Sequence, residues 1–409
     1  MAIQELLAIQ SRLLAGVPKK FKRSLYGQID WEDRLIEITG ARGTGKTTLL
    51  LQKVAELKRS KNANPLYVTA EDPYFYKNTL YDLAQEFYRQ GGTHMFIDEI
   101  HRYPPKVSEA DWSKELKYIY DVYPSLHIVF SGSSAISLYK GQGDLSRRKI
   151  SYLLNGLSFR EFLELKYDIR FLPVLLEQLL ANHVKLSEEI ATKYRILKFF
   201  SEYLRTGYYP FFREERTELK YFLRVRNVLN VVIENDLPAV SKIRFQTIPK
   251  LKKLFAVIAT SSPYTVNLRD FLSQLNIKDY ETLLNLLYML EKAELLTLLS
   301  SRSKGVKILH KPDKIYLNNT NLMYALDFGQ INIGTVRETF FINQLSYKHT
   351  VHYPKTVDFL VDDKWLFEIG GKNKTQKQIA GHQEAYIAAD DIEIGFGNKI
   401  PLWLFGFLY

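Results

Sequence analysis

One run of residues, Gly40-Ala41-Arg42-Gly43-Thr44-Gly45-Lys46-Thr47, satisfies the spacing G-x-x-x-x-G-K-[ST] without a mismatch. Glycines at these positions let consecutive backbone N–H groups turn inward around phosphate oxygens. The positive end of a following helix adds to the attraction. Lys46 is then the residue that reaches the β- and γ-phosphates of ATP, and the Thr47 hydroxyl is the one that ligates Mg, with Thr48 continuing the cradle. The bland alternative is a glycine turn that only caps a helix. The flanking sequence argues against it, because LIEITG reads as a strand and LLLQKVAEL as a helix, the setting a phosphate loop requires.

A second constellation is His94-Met95-Phe96-Ile97-Asp98-Glu99, an apolar strand ending in two acids. Such an ending suits Asp98 to hold Mg through water and Glu99 to polarise the attacking water as general base. The acid after Asp98 points to P-loop proteins with an extra strand between the two motif strands. A third is His127-Ile128-Val129-Phe130-Ser131-Gly132-Ser133-Ser134. A polar residue at the end of this strand is placed to contact the γ-phosphate or the water. Ser131 is the first choice and Ser133 the second, while a plain serine N-cap remains the alternative. Arg147 and Arg148 precede a further strand, KISYLL, at a corner suited to an arginine acting on the phosphate of a neighbouring subunit. Arg148 is preferred, and two solvated charges are the competing reading. The histidines show no metal-ligand spacing, and His101 and His310 read as packing or surface residues.

These motifs need elements to position them. Strands LIEITG, PLYVTAED, HMFIDEI, LHIVFSGSS and KISYLL alternate with helical patterns, which predicts an α/β unit with a parallel sheet over residues 1–157. Residues 158–245 carry long helical patterns, SFREFLELKYDIRFLPVLLEQLLANH and SEEIATKYRILKFFSEYLRTG, broken at Gly207 and Pro210. Residues 246–326 read as a winged helix, with KLKKLFAVIA, LRDFLSQLNI and YETLLNLLYMLEKAELL as its helices. The remainder, 327–409, reads as a small α/β domain closed by an apolar strand, IPLWLFGFLY.

The 409 residues exceed one ordinary core and contain no cysteine, which removes disulfide and thiolate-metal chemistry. No stretch approaches the roughly 20 apolar residues of a membrane span, and the N-terminal segment lacks the unbroken apolar core of a signal peptide. A cytoplasmic location is expected. The net charge of +11 makes DNA or RNA an eligible partner without establishing one.

IEITGARGTGKTTLL, FIDEIHRYP, IVFSGSSAISLY and SRRKISYLLNGLSFREFLEL together resemble a group of prokaryotic AAA-type ATPases. FSEYLRTGYYPFF and VDFLVDDKWLFEIGGKNK resemble later signatures of the same group. The resemblance implies an AAA-like core followed by a winged helix and a restriction-endonuclease-like C-terminal domain. It maps the group's arginine onto Arg148. It also implies a PD-(D/E)xK-type site at Glu338, Asp358 and Glu368, but Gly370 stands where the lysine belongs and Lys372 comes two residues late. No nuclease activity is therefore expected. Basic residues Arg269, Lys278, Lys292, Arg302, Lys304 and Lys307 suit phosphate contacts, whereas the apolar TLLNLLYMLEKAELL suits a protein-docking module.

Three functions follow. The leading one is an Mg-dependent ATPase acting as a switch or motor, with nucleic acid as a candidate partner and assembly into an oligomer compatible with Arg148. The second is a nucleotide-gated regulatory module that docks a protein. The third is a DNA-binding protein or nuclease with an accessory ATP site.

Overall fold

The computed structural model describes residues 2–104, 111–138, 145–241, 243, 245–261, 264–265, 268–277, 279–301, 311–326, 331–375, 379 and 381–409. Two compact units emerge. The first holds residues 1–155 and 234–243, and the second holds 156–233 and 244–409.

In the first unit α1 (Ala2–Ala15) precedes β1 (Leu35–Gly40), α2 (Lys46–Leu57), β2 (Pro65–Thr69), α3 (Leu80–Arg89), β3 (His94–Asp98), α4 (Trp112–Val122), β4 (His127–Ser133) and β5 (Ile150–Leu153). The strands form one sheet in the order β2-β3-β4-β1-β5, parallel at each pairing. Leu35, Ile36 and Ile38 of β1 and Met95, Phe96 and Ile97 of β3 are buried, as continuous apolar runs must be when helices cover both sheet faces. β4 lies between β1 and β3, so the extra strand expected between the two motif strands is present. Because the strands run in parallel, Gly40, Asp98 and Ser133 come out along one edge, where an open α/β sheet binds its ligand.

The second unit begins with α5 (Phe159–Tyr167), α6 (Leu176–Ala191), α7 (Ile196–Thr206) and α8 (Glu218–Val231). Helix was expected across residues 158–183 without interruption. The chain instead leaves α5 through Asp168 in the left-handed region at φ 56°, and Pro173 delays the restart. After a π-helical turn, α9 (Leu237–Ser241) belongs to the first unit. The second unit resumes with α10 (Ile248–Ser261), β6 (Tyr264–Thr265), α11 (Leu268–Leu275), α12 (Tyr280–Lys292), β7 (Leu296–Leu299) and β8 (Lys314–Leu317). Here three helices accompany an antiparallel sheet in the order β6-β8-β7. The apolar character of α12 has a local cause: Leu283, Leu284, Leu286, Leu287 and Leu290 are all buried.

The chain ends with α13 (Thr320–Ala325), α14 (Ile333–Leu345), β9 (Val351–His352), β10 (Phe359–Val361), β11 (Trp365–Gly370), β12 (Ala385–Ala389) and β13 (Lys399–Pro401). This mixed sheet runs β13-β12-β11-β10-β9. The expected final strand is β13 alone, followed by a 3-10 helix over Leu402–Phe407 with every residue buried. An apolar run buried on all sides has no period by which strand and helix can be told apart. Among the described residues no helix is long and apolar enough to cross a membrane.

Candidate functional site

The loop between β1 and α2 is shaped by its glycines. Gly45 sits at φ 99°, and a Cβ on Gly40 would lie 2.3 Å from the Leu154 carbonyl oxygen. Lys46, 5% exposed, donates from Nζ to the carbonyls of Gly40 at 2.8 Å and Ala41 at 3.1 Å. A buried ammonium needs such acceptors. A brace from outside the motif holds the loop: buried Arg23 donates to the Thr44 carbonyl and to the Asn155 carbonyl, each at 2.7 Å. Arg23 belongs to a basic run that looks solvated in sequence, and nothing in its spacing marks it as a brace.

Asp98 is where the strands converge. Its Oδ2 accepts from Thr47 Oγ1 at 2.6 Å and from the Tyr67 hydroxyl at 2.8 Å. Its Oδ1 accepts from Ser131 Oγ and from the Glu99 backbone N–H at 3.2 Å. The Glu99 N–H also donates to Ser131 Oγ at 3.2 Å, so Ser131 is engaged on both sides. Burial and then the Asp98 carboxylate push the Tyr67 phenol far above its ordinary pKa, which keeps it a proton donor. Tyr67 was not legible as a site residue, because one aromatic among the apolar residues of a strand gives no signal. The alternative Ser133 donates from its backbone N–H to His101 Nδ1 at 3.4 Å, and its hydroxyl is buried with no hydrogen-bond partner among the described residues.

Glu99 follows at φ 54°, in the left-handed region, and its side chain is 20% exposed. A cavity of about 360 Å³ opens beside it, lined by Thr47, Asp98, Glu99 and Arg42 together with Leu6, Ile9 and Leu13 of α1. Arg42 Nη1 lies 3.8 Å and His101 Nε2 3.4 Å from Glu99 Oε2. His101, read from sequence as packing or surface, is thus buried against the candidate base. His310 lies outside the described residues.

Arg148 is not brought to this edge. It precedes β5, at the end of the sheet where the parallel strands begin, one strand length of roughly 20 Å away. There it donates from Nε and Nη2 to the two carboxylate oxygens of Asp121, both at 3.0 Å.

In the second unit, Glu338, Asp358 and Glu368 are drawn together by α14, the approach to β10, and β11. Glu338 Oε2 accepts from the Tyr316 hydroxyl at 2.5 Å, and Asp358 Oδ2 accepts from the Ile369 N–H at 2.8 Å. Lys314 Nζ stands 3.7 Å from Glu338 and 3.8 Å from Asp358. The lysine on Glu368 is Lys374, at 2.5 Å. Lys372 is exposed, and its carbonyl accepts from Lys399 Nζ at 3.0 Å. The chain turns straight after Gly371, so a count along an extended strand misses the residue that folds back. Burial, then the neighbouring Asp358, raises the Glu338 pKa. Burial likewise raises that of Glu368. Among the described residues no group of three or more His, Cys, Asp or Glu side chains is arranged to hold a metal ion.

Residues 32–163 match the family model of an AAA domain, and residues 197–334 match a domain of unknown function. The chain thus carries an AAA-type P-loop ATPase domain, and a parallel five-stranded sheet flanked by helices is its scaffold. No curated protein matches the chain. Among solved structures, the chain is similar to a Walker-type ATPase of Pyrococcus abyssi at 15% identity, over 77% of this chain and 99% of that one, with a TM-score of 0.43. It is also similar to AMPPCP-bound DnaA from Aquifex aeolicus at 15% identity, over 69% and 86% of the two chains, with a TM-score of 0.26. The S. cerevisiae Hsp104–ADP complex is similar at 14% identity, over 69% and 41%, with a TM-score of 0.31.

Proposed function

We propose that the chain is an Mg-dependent ATPase whose turnover works a switch or motor, with Lys46, Thr47, Asp98 and Glu99 as its chemical centre. The observation that carries this reading is the 2.6 Å approach of Thr47 Oγ1 to Asp98 Oδ2, which joins the start of α2 to the end of β3 at a cavity that Thr47, Asp98 and Glu99 line. A hydroxyl and a carboxylate fit magnesium, which takes few protein ligands and keeps several waters. When bound there, it would screen the charge of the phosphates. Lys46 exchanges two loop carbonyls for phosphate oxygens, while residues Gly40 to Thr48 supply the backbone cradle. Glu99 orients a water and takes its proton, and Ser131 ties the backbone of that base to Asp98. The test is tight binding of a fluorescent ATP analogue together with Mg-dependent phosphate release. Binding with no release under any magnesium concentration overturns the enzymatic half.

The arrangement of α10 to α12 with β6 to β8 supports the winged-helix reading. Because the leucines of α12 are consumed by its own core, they do not argue for protein docking, and nucleic acid stays the first partner to test. Lys278, Arg302, Lys304 and Lys307 lie outside the described residues. Turnover that rises with duplex DNA and falls back with added salt supports that partner, and turnover indifferent to DNA removes it. For the last domain we propose a nuclease-like fold without cleavage. Lys314 stands between Glu338 and Asp358, in the position a divalent cation needs. A cytoplasmic location goes with this reading.

A further inference from the structure

The chain takes an uncommon route out of α8. A π-helical turn, Val232–Asp236, leads into α9, and residues 234–243 belong to the ATPase unit although the chain before and after them belongs to the second. Single π-helical turns are rare and occur often at functional positions. This one delivers Asp236, whose side chain is 0% exposed. Its Oδ1 accepts from Arg102 Nη2 at 2.5 Å, lies 3.4 Å from Arg42 Nη1 and 3.7 Å from His101 Nε2.

Two of those three donors also face Glu99, Arg42 at 3.8 Å and His101 at 3.4 Å. The ring of His101 is oriented from behind. Its Nδ1 accepts from the Ser133 backbone N–H at 3.4 Å, which leaves Nε2 on the side of the two carboxylates, 3.4 Å from Glu99 and 3.7 Å from Asp236. One guanidinium, that of Arg42, is therefore shared by a buried carboxylate and by the candidate base, which is partly open to the cavity. Burial alone would raise the pKa of Asp236, but His101, Arg42 and Arg102 outweigh it and hold the group below the ordinary carboxylate range. Its negative charge is thus a fixed part of the site.

We propose that Asp236 is a positioning residue for hydrolysis: its charge draws Arg42, 3.4 Å from Asp236 and 3.8 Å from Glu99, away from Glu99, so that the base keeps an oxygen for water. The proposal rests on the reading of Glu99 as the base. Without the Asp236 charge, Arg42 is left facing Glu99. A carboxylate that takes a charge-assisted hydrogen bond from a guanidinium is a weaker and misdirected base.

Asp236→Asn keeps the shape and removes the charge. In the full-length protein we expect kcat for ATP to fall roughly tenfold while the Kd of a fluorescent ATP analogue stays within about twofold. A merely structural role would lower affinity, turnover and thermal stability together. Asp236→Glu restores the charge and is expected to return kcat to within about threefold of the parent. That arm also stands if Asp236→Asn does not fold, since a tenfold loss in Asp236→Glu removes the role of charge. In a Glu99→Gln background Asp236→Asn should add no further loss, because the two act through one group. Unchanged kcat in Asp236→Asn, or a full additional loss in the Glu99→Gln background, overturns the proposal. Parental turnover in Glu99→Gln alone overturns the underlying assignment of the base, whatever Asp236→Asn does.

Discussion

Each unit gathers acidic side chains, and the two gatherings differ in what faces them. Around Asp98 the donors are neutral: the hydroxyls of Thr47, Tyr67 and Ser131 and one backbone N–H. Around Glu338, Asp358 and Glu368 stand two ammonium groups, Lys314 and Lys374. Hydrogen bonds from neutral groups orient a carboxylate and leave its charge to attract a cation. A lysine already answers that charge. Lys46 makes the same point from the cationic side, because it is held by carbonyl dipoles and, among the described residues, by no acid, ready to meet phosphate. Chemistry is expected where charge is left uncompensated, and structure where it is not.

The sharpest way to break this comparison is Lys46→Ala. Affinity for ATP should fall at least about 100-fold, since the principal cation on the phosphates is gone. A titration with a fluorescent analogue that gives a parental Kd would contradict it. Next is Lys314→Met, which leaves Glu338 and Asp358 facing each other across a half-buried space. Unfolding free energy should drop by about 1–3 kcal/mol, and Mg or Mn should restore part of it in the variant but not in the parent. Under the same ions the parent should leave supercoiled plasmid intact. Cleavage that disappears in Asp358→Ala and Glu368→Ala would show that this site cleaves DNA and would contradict the expectation.

Arg148→Ala is a smaller test. If Arg148 leaves Asp121 to act on a neighbouring subunit, turnover per subunit rises with protein concentration in the parent and loses that rise in the variant. A flat rate in the parent across the concentration range of assembly contradicts the trans role. The smallest effect concerns His94, which stacks on His127 with ring centroids 4.8 Å apart. Burial first, then His127 and Lys53, lowers its pKa to about 4. The unfolded value is near 6.5, so between these two the unfolded chain binds more protons. The stability contribution is present above about pH 6.5 and is lost as pH falls toward 4, by on the order of 1 kcal/mol for a partly exposed ring. His94→Gln should flatten that slope in urea titrations at pH 7.5, 6 and 5. An identical slope in both proteins would assign the loss to other groups.

The sheet and the P-loop were legible in the sequence because their constraints are local. Parallel strands are continuous apolar runs, and a phosphate cradle needs glycines at fixed spacing. Arg23, Tyr67, His101 and Asp236 carry no such mark. Asp236 comes to the site from 137 residues beyond Glu99, through a turn whose winding no period announces. Lys374 went unseen beside Glu368 for the same kind of reason, since alternation holds only while the strand lasts and β11 ends at Gly370. IPLWLFGFLY was misread because complete burial erases the pattern on which strand and helix are told apart.

The central claim is that Glu99 takes the proton while the rest of the site only binds and orients. Single-turnover hydrolysis of ATP in excess enzyme, run beside an analogue titration on parent and Glu99→Gln, tests it most directly. The account predicts unchanged affinity within about twofold and a chemical step slowed roughly 100-fold or more in the variant. A parental single-turnover rate in Glu99→Gln would show that the base lies elsewhere.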